Sequence, residues 1–485
     1  MKDSILFRAS MAKKVMSFLA FISTDMAALI LSFLLAYSIR SEILASLSFK
    51  FKAISLLPFS NFLNHYYLAI VWIIIFAHEK LYTKRFPFWE EVRILLKSAT
   101  ISFVLIMVMI FISRRQVQFS RTVIVLAWLL SLFLFPLFRF LIKSLLAKLN
   151  IWEKKLIILG ANETGFLVLK NIKKNPTMGY KIVGFLDDHP EKIGRKFHGV
   201  DVIGAISDLE NIVRANNSKD IIISLPDLSR EKLFRLLQTC EEASESMWLI
   251  PQTGDLITTG IEMERLGQVL ALNIKKNLEK PWNIFIKSAF DKIMTLILIV
   301  AFLPVFLVIA VAIKLDSKGP IFFLQKRLGR RKKEFTLFKF RSMYINGDNK
   351  LREYLTDNPT AREEWDKYRK LKNHDPRVTG VGRIIRKYSL DEFPQLFNVV
   401  FGKMSLVGPR PYLIEELKGK DSFKNRIAKV KPGITGLWQV SGRSEVLFEE
   451  RISIDDYYVR NWCLWLDLII LLKSLKVFFS SKGAY

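Results

Sequence analysis

Arg386-Lys-Tyr-Ser-Leu-Asp-Glu-Phe-Pro-Gln395 places two adjacent acids, Asp391 and Glu392, in a strongly basic part of the chain. A long apolar run, residues 293–313, lies upstream of this stretch. Acids held among cations beside a membrane segment indicate phosphate chemistry at a bilayer surface. The cations around the pair are Arg377, Arg383, Arg386, Lys387, Lys403 and Arg410.

The composition favours a membrane protein over a soluble nucleic-acid-binding protein. The 485 residues are enough for two or three domains, 51% of them are hydrophobic, and the net charge is +28. Such a chain could bind nucleic acid, or anionic lipid and phosphorylated substrates, and the clustering of its apolar residues argues against nucleic acid. Cys240 and Cys463 are far apart, so neither a disulfide framework nor a zinc site is predicted.

Residues 1–150 are predicted to form a four-span transmembrane bundle. Each of its apolar segments is about 18–25 residues long, enough to cross a hydrocarbon core of about 30 Å. Basic residues concentrate before the first segment, between the second and third, and from Arg139 and Lys143 onward, which places both ends of the bundle in the cytoplasm. No clear cleavage site follows the first segment, which is interpreted as a retained signal-anchor. The segments lie near Val15–Ile39, Leu57–Phe76, Leu95–Ile112 and Thr122–Ile142.

Asp25 is an acid within the first apolar segment. One interpretation is an intramembrane relay or a substrate contact, since ionisable residues are costly in a bilayer. The other, which we favour, is an acid near one end of the span that pairs with a cation across the bundle.

Residues 151–265 change to short apolar strands that alternate with helical stretches. Lys155–Leu159 has the pattern of a buried strand, and the run that follows it is helical to about Lys173. This alternation predicts a Rossmann-like, doubly wound α/β domain with a parallel sheet. Further strands are predicted at Ile182–Leu186, Val200–Ile203, Asp220–Ser224 and Met247–Ile250.

Gly160 and Gly165, with Asp187 beyond the second strand, look like a nucleotide-binding fingerprint. Asn162 stands in place of the middle glycine, where its side chain would crowd a pyrophosphate. Two interpretations stay open. The three residues bind a regulatory nucleotide cofactor, or the domain is Rossmann-like and binds nothing or a ligand of unknown kind.

After a linker at residues 266–283, the chain becomes apolar again in Ile293–Ile313, which contains Pro304. Basic residues flank this run on both sides, and they place both of its ends in the cytoplasm. A proline near the middle bends a helix. Together these features predict a re-entrant helix over residues 284–314, with an ordinary fifth span as the alternative.

The rest of the chain, to residue 485, is predicted to consist of short helices joined by irregular loops. Near its end, Asp456–Lys473 combines four aromatic residues with an apolar run. Aromatic and apolar residues beside lysines suit a helix that lies in the membrane interface. Packing into the core of its own domain is the alternative.

Ser389-Leu-Asp-Glu392 matches a capping box, with Ser389 at the N-cap and Glu392 at N3. Asp391 would then lie in the first helical turn, where the dipole favours an ionised carboxylate by roughly 0.3–1 kcal/mol. The ionised form is the one that attacks phosphorus, so the two roles are compatible. Pro394 marks either the true start of this helix or a kink.

A diphosphate substrate would need cations around such a nucleophile, because its negative charge repels a carboxylate. Arg386 and Arg410 are the candidates, since a guanidinium gives bidentate contacts and stays protonated. A divalent ion, Mg²⁺, would neutralise the remaining charge. Glu392 would bind that ion or act on the incoming acceptor. The alternative for any one arginine is a surface charge near lipid headgroups.

Residues from about 284 to 485 resemble the bacterial sugar transferase domain of the monotopic polyprenyl-phosphate phosphoglycosyl transferases. The preceding spans and Rossmann-like region are similar to those of the large members of this family. One departure is Phe393, where leucine is more usual. The matching runs are Gln325-Lys-Arg-Leu-Gly329, Phe338-Lys-Phe-Arg-Ser-Met343, Asp375-Pro-Arg-Val-Thr379, Ile385–Glu392, Pro394-Gln-Leu396, Met404–Pro411 and Lys431–Arg443.

The resemblance implies a two-step reaction. Asp391 would attack the β-phosphorus of a UDP-sugar and expel UMP, and undecaprenyl phosphate would then attack the aspartyl phosphosugar. UDP-galactose and UDP-glucose are the expected donors, with an N-acetylated sugar as the alternative. Glu392 is the implied partner acid, Asp391 and Glu392 the implied Mg²⁺ ligands, and Arg386 the implied phosphate-contacting arginine. The family also implies a homodimer in the bacterial inner membrane, with the catalytic domain on the cytoplasmic face. The implied substrate-binding residues are Lys339, Arg341, Arg410, Gln439 and Arg443.

The predicted fold class is therefore a membrane protein of the α + α/β type. A four-helix bundle and a Rossmann-like domain precede a mainly helical, monotopic catalytic domain with a re-entrant helix. The predicted function is the first step of O-antigen, capsule or exopolysaccharide synthesis. The alternative is a membrane-anchored, nucleotide-sensing regulatory or assembly protein, which would not need the acid pair and its arginines.

Overall fold

The computed structural model of the chain describes residues 2–47, 69–112, 120–218, 220–225, 229–250, 261–266, 269–274, 278, 280–368, 371, 375–417, 419–441 and 448–480. Its contacts divide the chain into two compact units, Met1–Gly254 and Asp255–Tyr485.

Four apolar helices begin the first unit. Three of them, α1, α3 and α4, are long and apolar enough to cross a membrane. Residues 57–68 of the second predicted span lie outside the described part of the chain, and its described end is the short helix α2. A π-helical turn, Ile39–Ile43, extends α1. The helices are α1 (Lys2–Ser38), α2 (Ala69–His78), α3 (Phe88–Ile112) and α4 (Arg121–Lys148).

Two ion pairs are buried in this bundle. Asp25 of α1 accepts two hydrogen bonds from Arg139 of α4, at 2.9 and 2.7 Å. Glu91 of α3 accepts one from Lys143 of α4, at 2.7 Å. The interpretation of Asp25 as an acid paired across the bundle is confirmed. Arg139 and Lys143, which the sequence analysis counted among the cytoplasmic charges, are instead buried partners of acids.

A six-stranded sheet follows the bundle in the order β3-β4-β2-β1-β5-β6. All neighbouring strands are parallel except β3 and β4. Ile158 on β1 packs toward α5 on one face, and Ile157 packs toward α6 and α7 on the other. This confirms the predicted Rossmann-like alternation. The elements are β1 (Lys154–Leu159), α5 (Glu163–Lys174), β2 (Tyr180–Leu186), β3 (Lys196–Phe197), β4 (Val200–Gly204), α6 (Leu209–Asn216), β5 (Asp220–Ile223), α7 (Arg230–Ala243) and β6 (Ser246–Leu249).

Arg85, between α2 and α3, joins the bundle to the sheet. Its Nη1 lies 2.7–3.1 Å from the carbonyl oxygens of Trp152, Met178 and Gly179. The guanidinium also stacks over the Trp152 ring, 3.9 Å from its centroid. These contacts explain why the bundle and the sheet form one unit.

The second unit begins with an antiparallel hairpin, whose second strand falls within the predicted linker at residues 266–283. The long helix α8 follows, and short helices make up most of the remainder, as predicted. The elements are β7 (Ile261–Leu266), β8 (Val269–Ile274), α8 (Pro281–Asp316), β9 (Phe322–Leu328), β10 (Glu334–Phe340), α9 (Gly347–Asp357), α10 (Pro359–Tyr368), α11 (Gly380–Lys387), α12 (Gln395–Val400), β11 (Ser405–Val407), α13 (Asp421–Ile427), β12 (Gly433–Thr435), α14 (Leu437–Ser441), α15 (Phe448–Asn461) and α16 (Leu464–Ser480).

Helix α8 packs against the rest of the second unit along its length. Near its start, Lys287 donates to Asp467 at 2.7 Å, and Asp291 accepts from Ser405 at 2.7 Å. Near its end, Ile309 and Ile313 are buried in the core of the same unit. The opposite face is apolar and exposed. It presents Ile293, Leu296, Ile297, Val300, Leu307, Val308 and Val311.

The sequence analysis missed the antiparallel hairpin of β9 and β10. Phe335 and Leu337 of β10 are buried while Thr336 between them is exposed, which is the alternation of a half-buried strand. The turn between the strands holds Arg331 and Lys332 at positive φ, 57° and 60°. It has no Asn-Gly or Asp-Gly pair, the usual sequence signal of a hairpin.

The aromatic segment Asp456–Lys473 is divided between α15 and α16. Tyr458 and Trp462 are buried, and both donate hydrogen bonds to Asp467, at 2.7 and 2.9 Å. Their side chains therefore belong to the core of the domain. Leu472 and Leu475 of α16 are exposed.

Candidate active site

Asp391 and Glu392 lie in a single 3₁₀ turn, Leu390–Glu392, between α11 and α12. Ser389 before it has φ 52° and ψ 24°, a left-handed conformation that is uncommon outside glycine, and its side chain makes no capping bond. The predicted capping box is wrong, because a capping serine needs extended backbone angles to reach the helical N–H groups. Pro394 is the N-cap of α12, so it marks the start of that helix.

The Asp391 carboxyl is half-buried, and its environment opposes ionisation. Burial raises its pKa to about 6, the charge of Glu392 acts in the same direction, and Lys339 and Arg386 oppose both. The helix dipole expected to favour the ionised form is weak here, since the turn has only three residues. A carboxyl with this pKa is mostly ionised at neutral pH.

Glu392 is paired with a lysine. Lys339 of β10 donates from Nζ to Glu392 Oε1 at 2.7 Å. Among the described residues, no side chain donates a hydrogen bond to Asp391. The two neighbouring acids are therefore in different states, since one is engaged by an ammonium and the other is available to a ligand.

Arg386 lies in the last turn of α11, near enough to Asp375 and Asp391 to stabilise their charged forms. Thr379 caps this helix by accepting from the Gly382 N–H at 2.9 Å. Asp316, the last residue of α8, accepts from the Val381 N–H at 2.9 Å. The end of the long apolar helix thus supports the helix that carries Arg386.

Arg410 follows β11 in the Gly408–Pro411 loop. Its backbone N–H donates to buried Asp455 at 3.2 Å, and its guanidinium lies 5.9 Å from the Trp438 ring centroid. Burial raises the pKa of Asp455 to about 7, against the hydrogen bond from Tyr412. The backbone of the loop that carries Arg410 is therefore held in place by its hydrogen bond to the buried Asp455 carboxyl.

Arg327 is a candidate that the sequence analysis missed. It is buried at the end of β9 and donates to Gln325 Oε1 at 2.7 Å and to the Pro411 carbonyl at 3.2 Å. Its charge interacts with those of Arg410 and Glu392. Arg327 thus holds the loop that carries Arg410, and its charge acts on Glu416, 4.0 Å away, and on Glu392. Its position within the matched run Gln325–Gly329 was the only available signal.

The other predicted substrate-binding residues lie in different places. Gln439 is on α14. Its Oε1 and the Oδ1 of Asp455 both face Gly436, since a Cβ added to that glycine would lie 3.5 Å from the first and 3.8 Å from the second. Arg341 directly follows β10, is buried, and donates to the Ser317 carbonyl, just beyond the end of α8, at 2.7 Å. Arg443 lies outside the described residues.

The predicted Mg²⁺ ligands, Asp391 and Glu392, are neighbouring carboxylates in one turn. The part of the chain that the structure describes has no group of three or more His, Cys, Asp or Glu side chains able to hold a metal. Mg²⁺ is commonly held by one or two carboxylates, with waters and substrate phosphates completing its coordination. Asp391 and Glu392 offer that number of carboxylates, although Lys339 engages one oxygen of Glu392. Mg²⁺ at Asp391 and Glu392 stays a prediction.

In the Rossmann-like domain, the fingerprint residues contact one another and their neighbours. Asp187 accepts from the Ala161 N–H at 2.9 Å and from Lys192 Nζ at 3.0 Å, and its pKa is lowered because these and other hydrogen bonds outweigh burial. Gly165 packs so closely that a Cβ would lie 2.3 Å from the Gly160 carbonyl. The glycines thus have structural reasons to be there, and a cofactor role for Gly160, Gly165 and Asp187 stays a prediction.

The Asn162 side chain closes the same turn. Its Oδ1 accepts from the Gly165 N–H at 2.9 Å, and its Nδ2 donates to the Ser224 carbonyl at 2.7 Å. The position that a glycine would leave open for a pyrophosphate is therefore bridged by an amide.

A half-buried carboxylate beside an engaged acid, near Lys339, Arg327 and Arg386, defines a domain suited to an anionic, phosphorylated ligand. The long apolar helix that supports this site defines the domain as membrane-associated.

Comparisons with known proteins agree with this class. Residues 282–481 match the bacterial sugar transferase family, and residues 82–251 match a family described as a CoA-binding domain. The chain is 37% identical to an undecaprenyl-phosphate galactose phosphotransferase of Salmonella typhimurium over 87% of this chain and 88% of that protein. It is 32% identical to a UDP-glucose:undecaprenyl-phosphate glucose-1-phosphate transferase of Xanthomonas campestris over 68% of each.

A shorter relative matches only part of the chain. The exopolysaccharide production protein ExoY of Sinorhizobium fredii is 43% identical over 41% of this chain and 88% of its own length. The chain belongs to the bacterial sugar transferase family and is a transferase. The resemblance drawn from the sequence motifs is confirmed.

Proposed function

We propose that this protein transfers a hexose 1-phosphate from UDP-galactose or UDP-glucose to undecaprenyl phosphate and releases UMP. The names of the relatives support both the lipid acceptor and these two sugars. The name of the shorter relative supports a place at the start of exopolysaccharide synthesis. The observation that carries the mechanism is the Asp391 carboxylate, which no described side chain engages by hydrogen bonding, beside a Glu392 that is engaged.

In the first step, an Asp391 oxygen attacks the β-phosphorus of the donor. A new bond forms between oxygen and phosphorus, and UMP leaves with the electron pair of the broken phosphoanhydride bond. Arg386 stabilises the charge that develops on the phosphoryl oxygens. When bound at Asp391 and Glu392, Mg²⁺ supplies further neutralisation of the diphosphate charge.

In the second step, a phosphate oxygen of undecaprenyl phosphate attacks the same phosphorus. The bond to Asp391 breaks, its electrons return to the carboxylate, and a lipid-linked diphosphate sugar forms. Arg410 and Arg327 are suited to hold the anionic groups of donor and acceptor, since the charge of Arg327 acts on both Arg410 and Glu392.

A UMP-release assay over a panel of UDP-sugars, with and without undecaprenyl phosphate, tests the proposal. The expected result is a stoichiometric burst of UMP without acceptor and continued turnover with it. UDP-galactose or UDP-glucose should give the largest signal. Release of UDP instead of UMP would show transfer of the sugar alone and would refute the proposal.

The apolar helix α8 is proposed to be re-entrant, with the catalytic domain on the cytoplasmic face of the bacterial inner membrane. Both its start, at Lys287, and its end, at Ile313, pack against the same polar domain. A helix that crossed the bilayer would carry its two ends to opposite sides, away from one shared domain. Pro304 within the helix and basic residues on both flanks support the same arrangement.

Single cysteines at the two ends of α8 are expected to be shielded from membrane-impermeant thiol reagents in intact cells. Lys280→Cys and Lys318→Cys change exposed residues, and the background replaces both native cysteines with serine. Arg121→Cys, at the first residue of α4 on the side predicted to be external, should react and serves as the positive control. Labelling at Lys318→Cys alone would mean that the helix crosses the membrane.

UMP release is expected to slow as the pH falls through about 6, because Asp391 must be ionised to attack and burial raises its pKa to that value. The ionised fraction is high above this pH and declines below it. The second-order rate constant of the first step should be measured without acceptor. The acceptor, undecaprenyl phosphate, is a phosphate monoester that itself titrates near pH ~6, so its presence would add a second pH dependence.

The Glu392→Gln variant provides the control for this pH profile. The negative charge of Glu392 raises the pKa of Asp391, so its removal should move the acidic limb to lower pH. A limb that stays in place would mean that another group controls it.

A further inference from the structure

The ion pair between Lys339 and Glu392 is accessible to solvent. The Lys339 side chain is 24% exposed and that of Glu392 is 34% exposed, although their charged atoms are only 2.7 Å apart. An accessible pair of this kind adds little stability, since water and salt compete with it. It can therefore separate when a stronger partner arrives for either group.

Lys339 differs from the nearby arginine of β9 in how it is held. Arg327 is buried and tied to the Gln325 side chain and the Pro411 carbonyl. For Lys339, by contrast, the Glu392 carboxylate is the hydrogen-bond acceptor found in the described part of the chain. A lysine ammonium is a compact charge at the end of a flexible four-carbon stem, so it can turn while its Cα stays fixed in β10.

Glu392 also has two competing uses. As long as the Lys339 ammonium covers one of its oxygens, the carboxylate is a poor ligand for a divalent cation. The two cations, ammonium and metal, would repel each other at the shared oxygen. A diphosphate brings about two negative charges, which attract the ammonium more strongly than a single carboxylate does.

We propose that Lys339 exchanges partners during the reaction, pairing with Glu392 in the empty enzyme and with a diphosphate oxygen of the donor in the loaded one. The exchange releases Glu392 to bind a divalent cation only once the donor is present. This inference rests on the proposed function, because it takes a nucleoside diphosphate sugar as the donor. Lys339 thereby makes metal binding at the acid pair dependent on the substrate.

The exchange predicts that removal of Lys339 strengthens metal binding in the absence of donor. Mn²⁺, a paramagnetic substitute for Mg²⁺, is titrated against the full-length protein and followed by electron paramagnetic resonance. We expect Lys339→Met to bind Mn²⁺ about tenfold more tightly than the unmodified protein, because its Glu392 carboxylate is uncovered. Lys326→Met on the paired strand is the matched control and should leave Mn²⁺ affinity unchanged, since Lys326 is exposed and lies 4.0 Å from Glu334.

Two further variants separate this effect from a general loss of positive charge. Adding Glu392→Gln to Lys339→Met should abolish the gain in Mn²⁺ affinity, because the uncovered ligand is then removed. Lys339→Arg keeps a cation on Glu392 and should not tighten Mn²⁺ binding.

The second measurement is the affinity for UDP in the presence of Mg²⁺, by calorimetry. Lys339→Met should weaken it about tenfold, because the diphosphate loses its ammonium partner. Weaker UDP binding with unchanged Mn²⁺ affinity would overturn the exchange and leave Lys339 as a simple phosphate contact. Tighter Mn²⁺ binding with unchanged UDP affinity would overturn it too. The UMP-release assay on the unmodified protein tests the proposed function independently of both.

Discussion

Asp391→Asn is expected to abolish UMP release from the UDP-sugar, by at least about 10³-fold, even when no lipid acceptor is present. An amide of the same shape preserves packing in the Leu390–Glu392 turn but cannot attack phosphorus as a carboxylate does. The size of the effect follows from the loss of the nucleophile itself, since covalent catalysis leaves no alternative route for the first step. Quenched-flow measurement of the UMP burst gives the rate.

The matched control is Asp357→Asn, which changes an exposed acid at the end of α9 and should leave the burst intact. Asp391→Ala should behave like Asp391→Asn. With a donor labelled in its β-phosphate, mass spectrometry of the trapped enzyme should place the label on the peptide that contains Asp391. A normal burst in Asp391→Asn, or a label on another residue, would remove Asp391 as the nucleophile.

The acid pair could be predicted from the sequence because its signal is local. Asp391 and Glu392 are adjacent, their basic flanks are close in the chain, and the motif is long enough to resemble a family. The local backbone could not be predicted in the same way. The left-handed Ser389 depends on how α11 and α12 enter the turn, and nothing in Ser-Leu-Asp-Glu distinguishes it from a capping box.

The long-range partners could not be predicted. Hydrophobic periodicity and secondary-structure propensity describe a local stretch of chain and carry no information about which distant residues pair. Arg139 lies 114 residues from Asp25, and Lys143 lies 52 residues from Glu91. In the sequence these two cations are equivalent to any basic residues that flank a span. Most strands of the six-stranded sheet could be predicted, since short apolar runs that alternate with helical stretches are a local signal. The two-residue strand β3 was missed, because it is too short to show a pattern.

The site depends on a second long-range pairing, which holds helix α8 to the catalytic domain. Asp467 is fully buried and accepts hydrogen bonds from Lys287, Tyr458 and Trp462, at 2.7, 2.7 and 2.9 Å. Lys287 has one further acid nearby, Asp291, at 3.8 Å. Asp467 is thus the main counter-charge that stabilises the buried Lys287 ammonium near the start of α8.

Asp467→Ala is therefore expected to lower the free energy of unfolding by about 3–5 kcal/mol, the usual cost of leaving a buried charge without its partner. Two neutral donors would also lose their acceptor, which adds to the cost. The shift should be measured as the denaturant midpoint of the detergent-solubilised protein. Glu353→Ala, at an exposed position of α9, is the control and should change stability by no more than about 0.5 kcal/mol.

Replacing both members of the pair distinguishes a charge effect from a cavity. The Lys287→Met, Asp467→Ala double variant has no buried ammonium, so it should be more stable than Asp467→Ala alone. Equal stabilities would mean that lost packing, and not the unpaired charge, accounts for the effect.

Because α8 also supports Arg386 through Asp316, Asp467→Ala should reduce UMP release although the acid pair is unchanged. The double variant should recover part of that activity, since positioning of the membrane helix, and not the carboxylate of Asp467, is what the reaction requires.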